Sequence, residues 1–361
     1  MTGPGALHLR GVVLPDDVTR DLYVTGGKIT YQPVPGAETV QRGGWLLPGL
    51  VDAHCHIGLS QDGWVTGPDA LAAQARADRD GGALLIRDCG SPVDTRGLLD
   101  QTDLPRLIRA GRHLARPTRY IRGLAQEIEP DQLVAAVTEQ AGYGGGWVKL
   151  IGDWIDRAAG DLAPLWPAAQ LRAAVARAHD LGARVAVHVF GEDALPDLIA
   201  AGVDSIEHGS GLSGDQFGAL ASAGTALVPT LINVENFPGL AAQADRKYPA
   251  YAAHMRRLHA TAADRVRAAH QAGVPIFAGT DAGGGVAHGR IVDEILALHA
   301  AGLPAPAALA AGSWAARTYL GLPGLTEGAP ADLLAYRADP RADLGTLRTP
   351  SHVVLRGHLI R

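Results

Sequence analysis

Five glycines set the rhythm of this chain. Gly82, Gly182, Gly202, Gly224 and Gly273 each stand where a helical window ends, and each is followed within a few residues by a short apolar run (83–86, 183–189, 203–206, 225–228 and 274–278). Glycine just past a helix takes the left-handed conformation that other residues resist. The windows themselves are amphipathic. Leu171, Ala174, Val175 and Ala178 fall on one face of a helix whose first turn holds Pro167, and Ser213-Gly214-Asp215-Gln216 fits a capping box. Adding 51–53, a strand before His113 or Tyr120, and 147–151 makes eight strand candidates between Leu50 and Thr280. Eight strand–helix units in about 270 residues match the ~250 typical of a (β/α)8 barrel. The expected fold class is therefore α/β, a (β/α)8 TIM barrel over residues 49–321.

The two ends read differently. Segments 6–14, 21–25 and 28–31 are strand-like, with Gly26-Gly27 as the tight turn, and strands return at 331–336, 352–355 and 358–360 around Arg356-Gly357. Segments 1–48 and 322–361 are expected to pair as one small β-sandwich. Hydrophobic residues make up 47% of the 361, which is enough for a large core and too many for disorder. A net charge of -5 without a basic block argues against nucleic acid as a partner. Two cysteines exclude a disulfide scaffold and fit a reducing compartment. With no signal-like start and no apolar run near the ~18 residues of a membrane span, no membrane partner and a cytoplasmic location are expected. Residues 231–252 are expected to form a long loop over the barrel mouth.

Chemistry collects at the C-terminal ends of the expected strands, where barrel active sites are built. His54 and His56 close the first strand in Val51-Asp52-Ala53-His54-Cys55-His56, and a period of two aims both imidazoles into the mouth. Cys55, between them, points away and reads as a packing residue, as does Cys89. Lys149 sits inside the apolar run Trp147-Val148-Lys149-Leu150-Ile151; burying an unpaired ammonium costs several kcal/mol, so it needs a partner or is neutral. His188 and His208 end the fifth and sixth strands, and Asp281 follows Gly279-Thr280. A single histidine at a strand end is usually structural. Four histidines, a lysine and an aspartate at successive strand ends point to a metal site.

This order of residues resembles the amidohydrolase superfamily in its two-metal form. The resemblance includes Pro48-Gly49-Leu50-Val51-Asp52-Ala53-His54, Ile86-Arg87-Asp88, Ile206-Glu207-His208-Gly209, Ala278-Gly279-Thr280-Asp281 and Gly328-Ala329-Pro330-Ala331-Asp332-Leu333. Within the superfamily, Ile206-Glu207-His208-Gly209 and Val228-Pro229-Thr230 are similar to the imidazolonepropionase-like and prolidase-like branch. The resemblance implies that His54, His56 and Asp281 bind a buried divalent ion and that His188 and His208 bind a more exposed one. It also implies that Lys149, carboxylated by carbon dioxide, bridges the two. Imidazole and oxygen ligands suit zinc. Asp281 would also be the catalytic base and acid, moving a proton from a bridging hydroxide to the leaving nitrogen.

The implied activity is hydrolysis of a C–N bond in a small-molecule amide or cyclic amide. The same two-metal site could serve a lactonase, esterase or phosphotriesterase. A one-metal deaminase and a non-catalytic metal-binding barrel are further rivals, opposed by Lys149 and Asp281 respectively. Trp64, Arg119, Arg122, Trp154, Arg157 and Asn233 are candidate substrate contacts. The loop after strand three, Arg116-Pro117-Thr118-Arg119-Tyr120-Ile121-Arg122-Gly123, lacks the Gly-Gly-His-Gly pattern of the prolidase-like branch. Barrel enzymes of this size often associate, so a homo-oligomer is compatible with the sequence.

Overall fold

The computed structural model describes residues 5–143 and 145–361. It opens with β1 (Leu7–Val13), β2 (Val18–Thr25), β3 (Lys28–Thr30) and β4 (Glu38–Pro48). Gly26 and Gly27 both take positive φ in the turn between β2 and β3, as a two-residue hairpin demands. The chain's last strands, Leu333–Tyr336, His352–Leu355 and His358–Leu359, join the first four in one mixed seven-stranded sheet. Residues 333–336 run antiparallel to β4, from Leu333 opposite Pro48 to Tyr336 opposite Trp45. The sheet curls until the Ile29 N–H donates to the Ala329 carbonyl at 2.8 Å, and it encloses a core of its own that includes Leu9, Leu22, Ile29, Leu46, Leu333 and Val354.

Between these ends the chain alternates strand and helix. It runs through β5 (Leu50–Cys55), a short hairpin of β6 (Leu59–Ser60) and β7 (Gly63–Trp64), α1 (Pro68–Asp80), β8 (Ala83–Asp88), β9 (Arg106–Arg109), β10 (Leu114–Ala115) and β11 (Gln126–Glu127). Next come α2 (Leu133–Tyr143), β12 (Trp147–Ile151), the hairpin β13 (Asp153–Asp156) and β14 (Asp161–Pro164), α3 (Ala168–Asp180), β15 (Arg184–Val189), α4 (Leu195–Ala201) and β16 (Ser205–His208). The last stretch holds α5 (Gln216–Ala223), β17 (Ala226–Val228), α6 (Leu231–Val234), α7 (Phe237–Ala244), α8 (Pro249–Gln271), α9 (Ile291–Ala300), α10 (Ala305–Ala311) and α11 (Trp314–Tyr319). All five helix-ending glycines of the repeat take positive φ, between 68° and 97°.

The parallel strands form two sheets, β5-β8-β9 and β11-β10-β12-β15-β16-β17. Two stretches link them. Gly111, at φ 71°, interrupts the third strand, so its first half pairs with β8 and its second with β12. On the other side, 274–278 does not make the regular strand expected of it. Pro275 has no N–H to give, and the segment instead makes one isolated bridge to β17, Leu227 N to Pro275 O (2.8 Å) and Phe277 N to Leu227 O (3.0 Å), and one bond from β5, Ala53 N to Ala278 O (2.9 Å). Residues 231–252 also depart from the expected loop. They fold as α6, α7 and the start of α8, with Pro238 and Pro249 in the first turns of the latter two.

Asp332 fastens the curled sheet to this body. Its fully buried carboxylate accepts from Arg106 Nε (2.5 Å), Arg317 Nη2 (3.4 Å) and the Arg356 N–H (2.8 Å), and the Arg317 guanidinium is itself almost wholly buried. Removing one partner of a buried pair leaves the other charge uncompensated. Asp332→Ala is therefore expected to lose about 3–5 kcal/mol of unfolding free energy in urea. A loss under about 1 kcal/mol would show that the pair does not hold the two parts together.

Candidate metal centre

The alternation of β5 puts His54 and His56 on one side, and their ring hydrogen bonds decide which nitrogens remain free. His56 Nδ1 lies 2.8 Å from the Gly90 carbonyl, which can only accept, so Nδ1 carries the proton. His54 Nδ1 donates to Glu207 Oε2 at 2.6 Å. Glu207 is a carboxylate and not an acid: burial would raise its pKa, but Arg87 Nη2 at 2.7 Å and the His54 imidazole hold it far below the ordinary range. Both Nε2 atoms are then bare lone pairs. They lie 3.2 Å apart, and Asp281 Oδ1 lies 3.0 Å from His56 Nε2 and 3.2 Å from His54 Nε2. Three acceptors converge with no donor among them. That arrangement fits a cation.

The second half of the cluster comes from β12, β15 and β16. His208 shares a 2.7 Å hydrogen bond with Thr230 Oγ1 through Nδ1, and its ring centroid is 4.7 Å from that of His188 and 5.1 Å from that of His54. His188 Nε2 is buried with no hydrogen-bond partner among the described residues, Asp153 Oδ1 lying 3.9 Å away. Lys149 is 1% exposed, and its Nζ also has no partner among the described residues. Burial holds His54 and His188 below the usual histidine range, with the nearby Lys149 charge adding to it, and brings His208 down to about 3. Four imidazoles, one ionised carboxylate and an unpaired amine make a donor set suited to divalent ions. The backbone is strained at the same place. His208 (φ 66°), Thr230 (φ 47°) and Asp281 (φ 57°) all occupy the left-handed region.

The candidate substrate contacts divide. Asn233, in α6, donates from Nδ2 to Asp281 Oδ2 at 2.7 Å. Trp154 packs its ring 5.5 Å from His188 and 4.8 Å from Tyr120. Arg122 and Arg157 line a cleft of about 740 Å³ that Tyr120 and Gly123 share, and Trp64 lies against Gly123. Arg119 is engaged within the chain itself. Its guanidinium is engaged by Asp156 Oδ2 (2.8 Å) and by the carbonyls of Trp154 (3.1 Å) and Ala163 (2.9 Å), so it braces the β13–β14 hairpin.

Sequence reasoning missed four residues. His113, fully buried with neither ring nitrogen partnered among the described residues, packs 4.9 Å from His56 and 5.5 Å from Tyr120. It lies past the Gly111 break, where no periodicity marks a strand end. Tyr120 itself reaches to 5.7 Å from His188. Arg87 and Glu207 stand inside apolar strands, and that was the available signal: a cation and an anion in two such strands imply a pair. Cys55 and Cys89 are buried, as expected of packing residues.

A model of the amidohydrolase family matches residues 45–360. An uncharacterized protein of Mycobacterium tuberculosis is 60% identical over 352 residues, covering 97% of this chain and 95% of its own length. A counterpart from Mycobacterium bovis matches to the same extent. Among solved structures, a Xaa-Pro dipeptidase with bound methionine superposes with a TM-score of 0.82 at 22% identity, over 99% of this chain and 100% of that one. A prolidase complexed with N-methylphosphonate-L-proline gives 0.82 at 22% identity, over 99% of each chain. The A. niger ochratoxinase gives 0.80 at 19%, over 99% of this chain and 96% of its own.

Groups that orient metal-binding imidazoles typically contribute 10–100-fold to metal affinity. Glu207→Gln is expected to weaken zinc binding by about that factor in chelator competition. Unfolding on the same sample separates loss of fold from loss of affinity. Unchanged zinc affinity in a folded variant would remove Glu207 from this role.

Proposed function

The chain belongs to the amidohydrolase family, and from that premise we propose that it is a metal-dependent hydrolase holding two divalent ions, zinc by preference. His54, His56 and Asp281 would hold one ion and His188 and His208 the other, with Lys149 carboxylated between them. The observation that carries this reading is the convergence of His54 Nε2, His56 Nε2 and Asp281 Oδ1 within 3.0–3.2 Å, beside a buried lysine with no partner among the described residues. We read the two linked parallel sheets as a (β/α)8 barrel spanning 49–321. The sheet built from 1–48 and 322–361 is read as a small β-sandwich domain. On this reading the site lies at the C-terminal end of the barrel strands.

Bound divalent ions would supply Lewis acidity and bring the pKa of water toward neutrality. The chain's own residues do the rest. Asp281 Oδ1 faces the two imidazoles, while Oδ2 accepts from Asn233, so the carboxylate is fixed in orientation as well as charge. The Asp281 carboxylate would take a proton from the attacking water. Water adds its oxygen to the amide carbonyl carbon, the C–N bond breaks, and the proton held on Asp281 passes to the departing nitrogen. The products are a carboxylic acid and an amine. Arg122 and Arg157 would contact the substrate from the cleft that Tyr120 lines, which is sized for a small molecule, with Trp154 packed on Tyr120 and Trp64 against Gly123 beside it. The names of the solved relatives, a dipeptidase, a prolidase and an ochratoxinase, support a C–N bond over an ester as the target.

Asparagine at 281 keeps shape and an oxygen ligand but cannot take a proton. Asp281→Asn is expected to lose about 10²–10⁴-fold in kcat on an amide substrate while retaining most of its metal. Metal content and kcat should be measured on one preparation at several zinc concentrations. A rate restored to wild type by added zinc would leave Asp281 a ligand and nothing more.

A further inference from the structure

Helix α6 is only four residues long, yet it and the residue before it meet the candidate centre through two side chains. Thr230 occupies the position before the helix, where a threonine hydroxyl ordinarily accepts from an N–H of the first turn. Here that hydroxyl caps nothing, and Thr230 Oγ1 lies instead 2.7 Å from His208 Nδ1. The N–H groups of α6 are nevertheless all taken. Those of Asn233 and Val234 donate to the Thr230 carbonyl at 2.9 and 3.1 Å. Those of Leu231 and Ile232 donate to Oε1 and Oε2 of Glu294, both at 2.9 Å. Glu294 comes from the first turn of α9 and has no exposed surface.

The proposed chemistry gives Glu294 no task, although what it holds bears on both halves of the centre. Asn233 Nδ2 donates to Asp281 Oδ2 at 2.7 Å, and Asn233 Oδ1 accepts from Asn236 Nδ2 at 3.2 Å, which decides which way round the amide sits. Thr230 meets His208 on the other side. A helix this short makes too few bonds of its own to keep its place unaided. Burial pushes the Glu294 carboxyl up to about 8, against the pull of the two N–H groups. In either protonation state an oxygen faces each N–H, so the cap does not depend on charge. Glutamine, by contrast, would turn its NH2 toward one of the two donors.

We propose that Glu294 is a positioning residue of the metal centre: by capping α6 in place of Thr230, it frees the Thr230 hydroxyl for His208 and sets Asn233 against Asp281. The proposal rests on the two-ion reading above. No proton or charge passes through Glu294, which acts only through those two side chains. A buried acid that served the fold alone would affect unfolding and leave the metal affinity of the folded protein untouched.

Zinc affinity by chelator competition and unfolding in urea, measured on the full chain, test the proposal in Glu294→Gln, Asn233→Ala and the double variant. Groups that orient metal ligands contribute about 10–100-fold to affinity, and each single variant is expected to bind zinc more weakly by about that factor. Because Glu294 acts in part through Asn233, the double variant should lose clearly less than the product of the two factors. Glu294→Asp, which keeps two oxygens on a shorter stem, should fall between wild type and Glu294→Gln. Paired with Asn233→Ala, it completes the same cycle if Glu294→Gln does not fold. Wild-type zinc affinity in a folded Glu294→Gln, or losses that simply multiply, would overturn the proposal alone. A wild type that binds no zinc would overturn the two-ion reading, and the proposal with it.

Discussion

The arrangement of the candidate centre depends on one buried carboxylate. Glu207 has no exposed surface, yet it stays ionised because Arg87, stacked 4.4 Å over the Trp147 ring, is buried beside it. Ser205 Oγ adds a 2.5 Å hydrogen bond. A charged pair in such a place gives little net stability, since desolvation offsets the attraction. It does fix geometry. The pair holds His54 with its proton on Nδ1, and that choice leaves Nε2 free to face His56 and Asp281. Arg87 also donates from Nε to the Ala53 carbonyl at 2.6 Å, so one guanidinium sets both the backbone and, through Glu207, the ring of the first strand.

The strained residues follow the same logic. His208, Thr230 and Asp281 leave their strands in the left-handed region, a conformation that costs energy for any residue with a Cβ and most for a β-branched one. Each turn delivers a side chain to the centre: Thr230 Oγ1 to His208, Asp281 to the two imidazoles. The backbone must pass close to do so. A Cβ at Gly279 would lie 2.5 Å from Val228 Cγ1 and 2.7 Å from His54 Cβ, so only glycine lets this segment run between β5 and β17.

Much of the fold was legible because helix-ending glycines and apolar runs mark each strand–helix unit, and the ligand candidates stood at the ends of those runs. His54, His56, Lys149, His188, His208 and Asp281 do come together. What was not legible depended on distant partners or on missing donors. Arg119 is an ordinary loop cation until Asp156, 37 residues on, engages it. The eighth strand is interrupted by Pro275 and the third by Gly111, so neither shows a full period. His113 hid behind the second break. The long loop after β17 was the opposite case: its two prolines could have been read as first-turn residues of helices.

The account's central claim is that these side chains hold two ions across a carboxylated lysine. Crystals grown with zinc and bicarbonate, measured at the zinc absorption edge, test it most directly. Two anomalous peaks are predicted, one bounded by His54, His56 and Asp281 and the other by His188 and His208, with density extending from Lys149 Nζ between them. A Lys149 amine without added density, or no zinc at either position, would contradict the account.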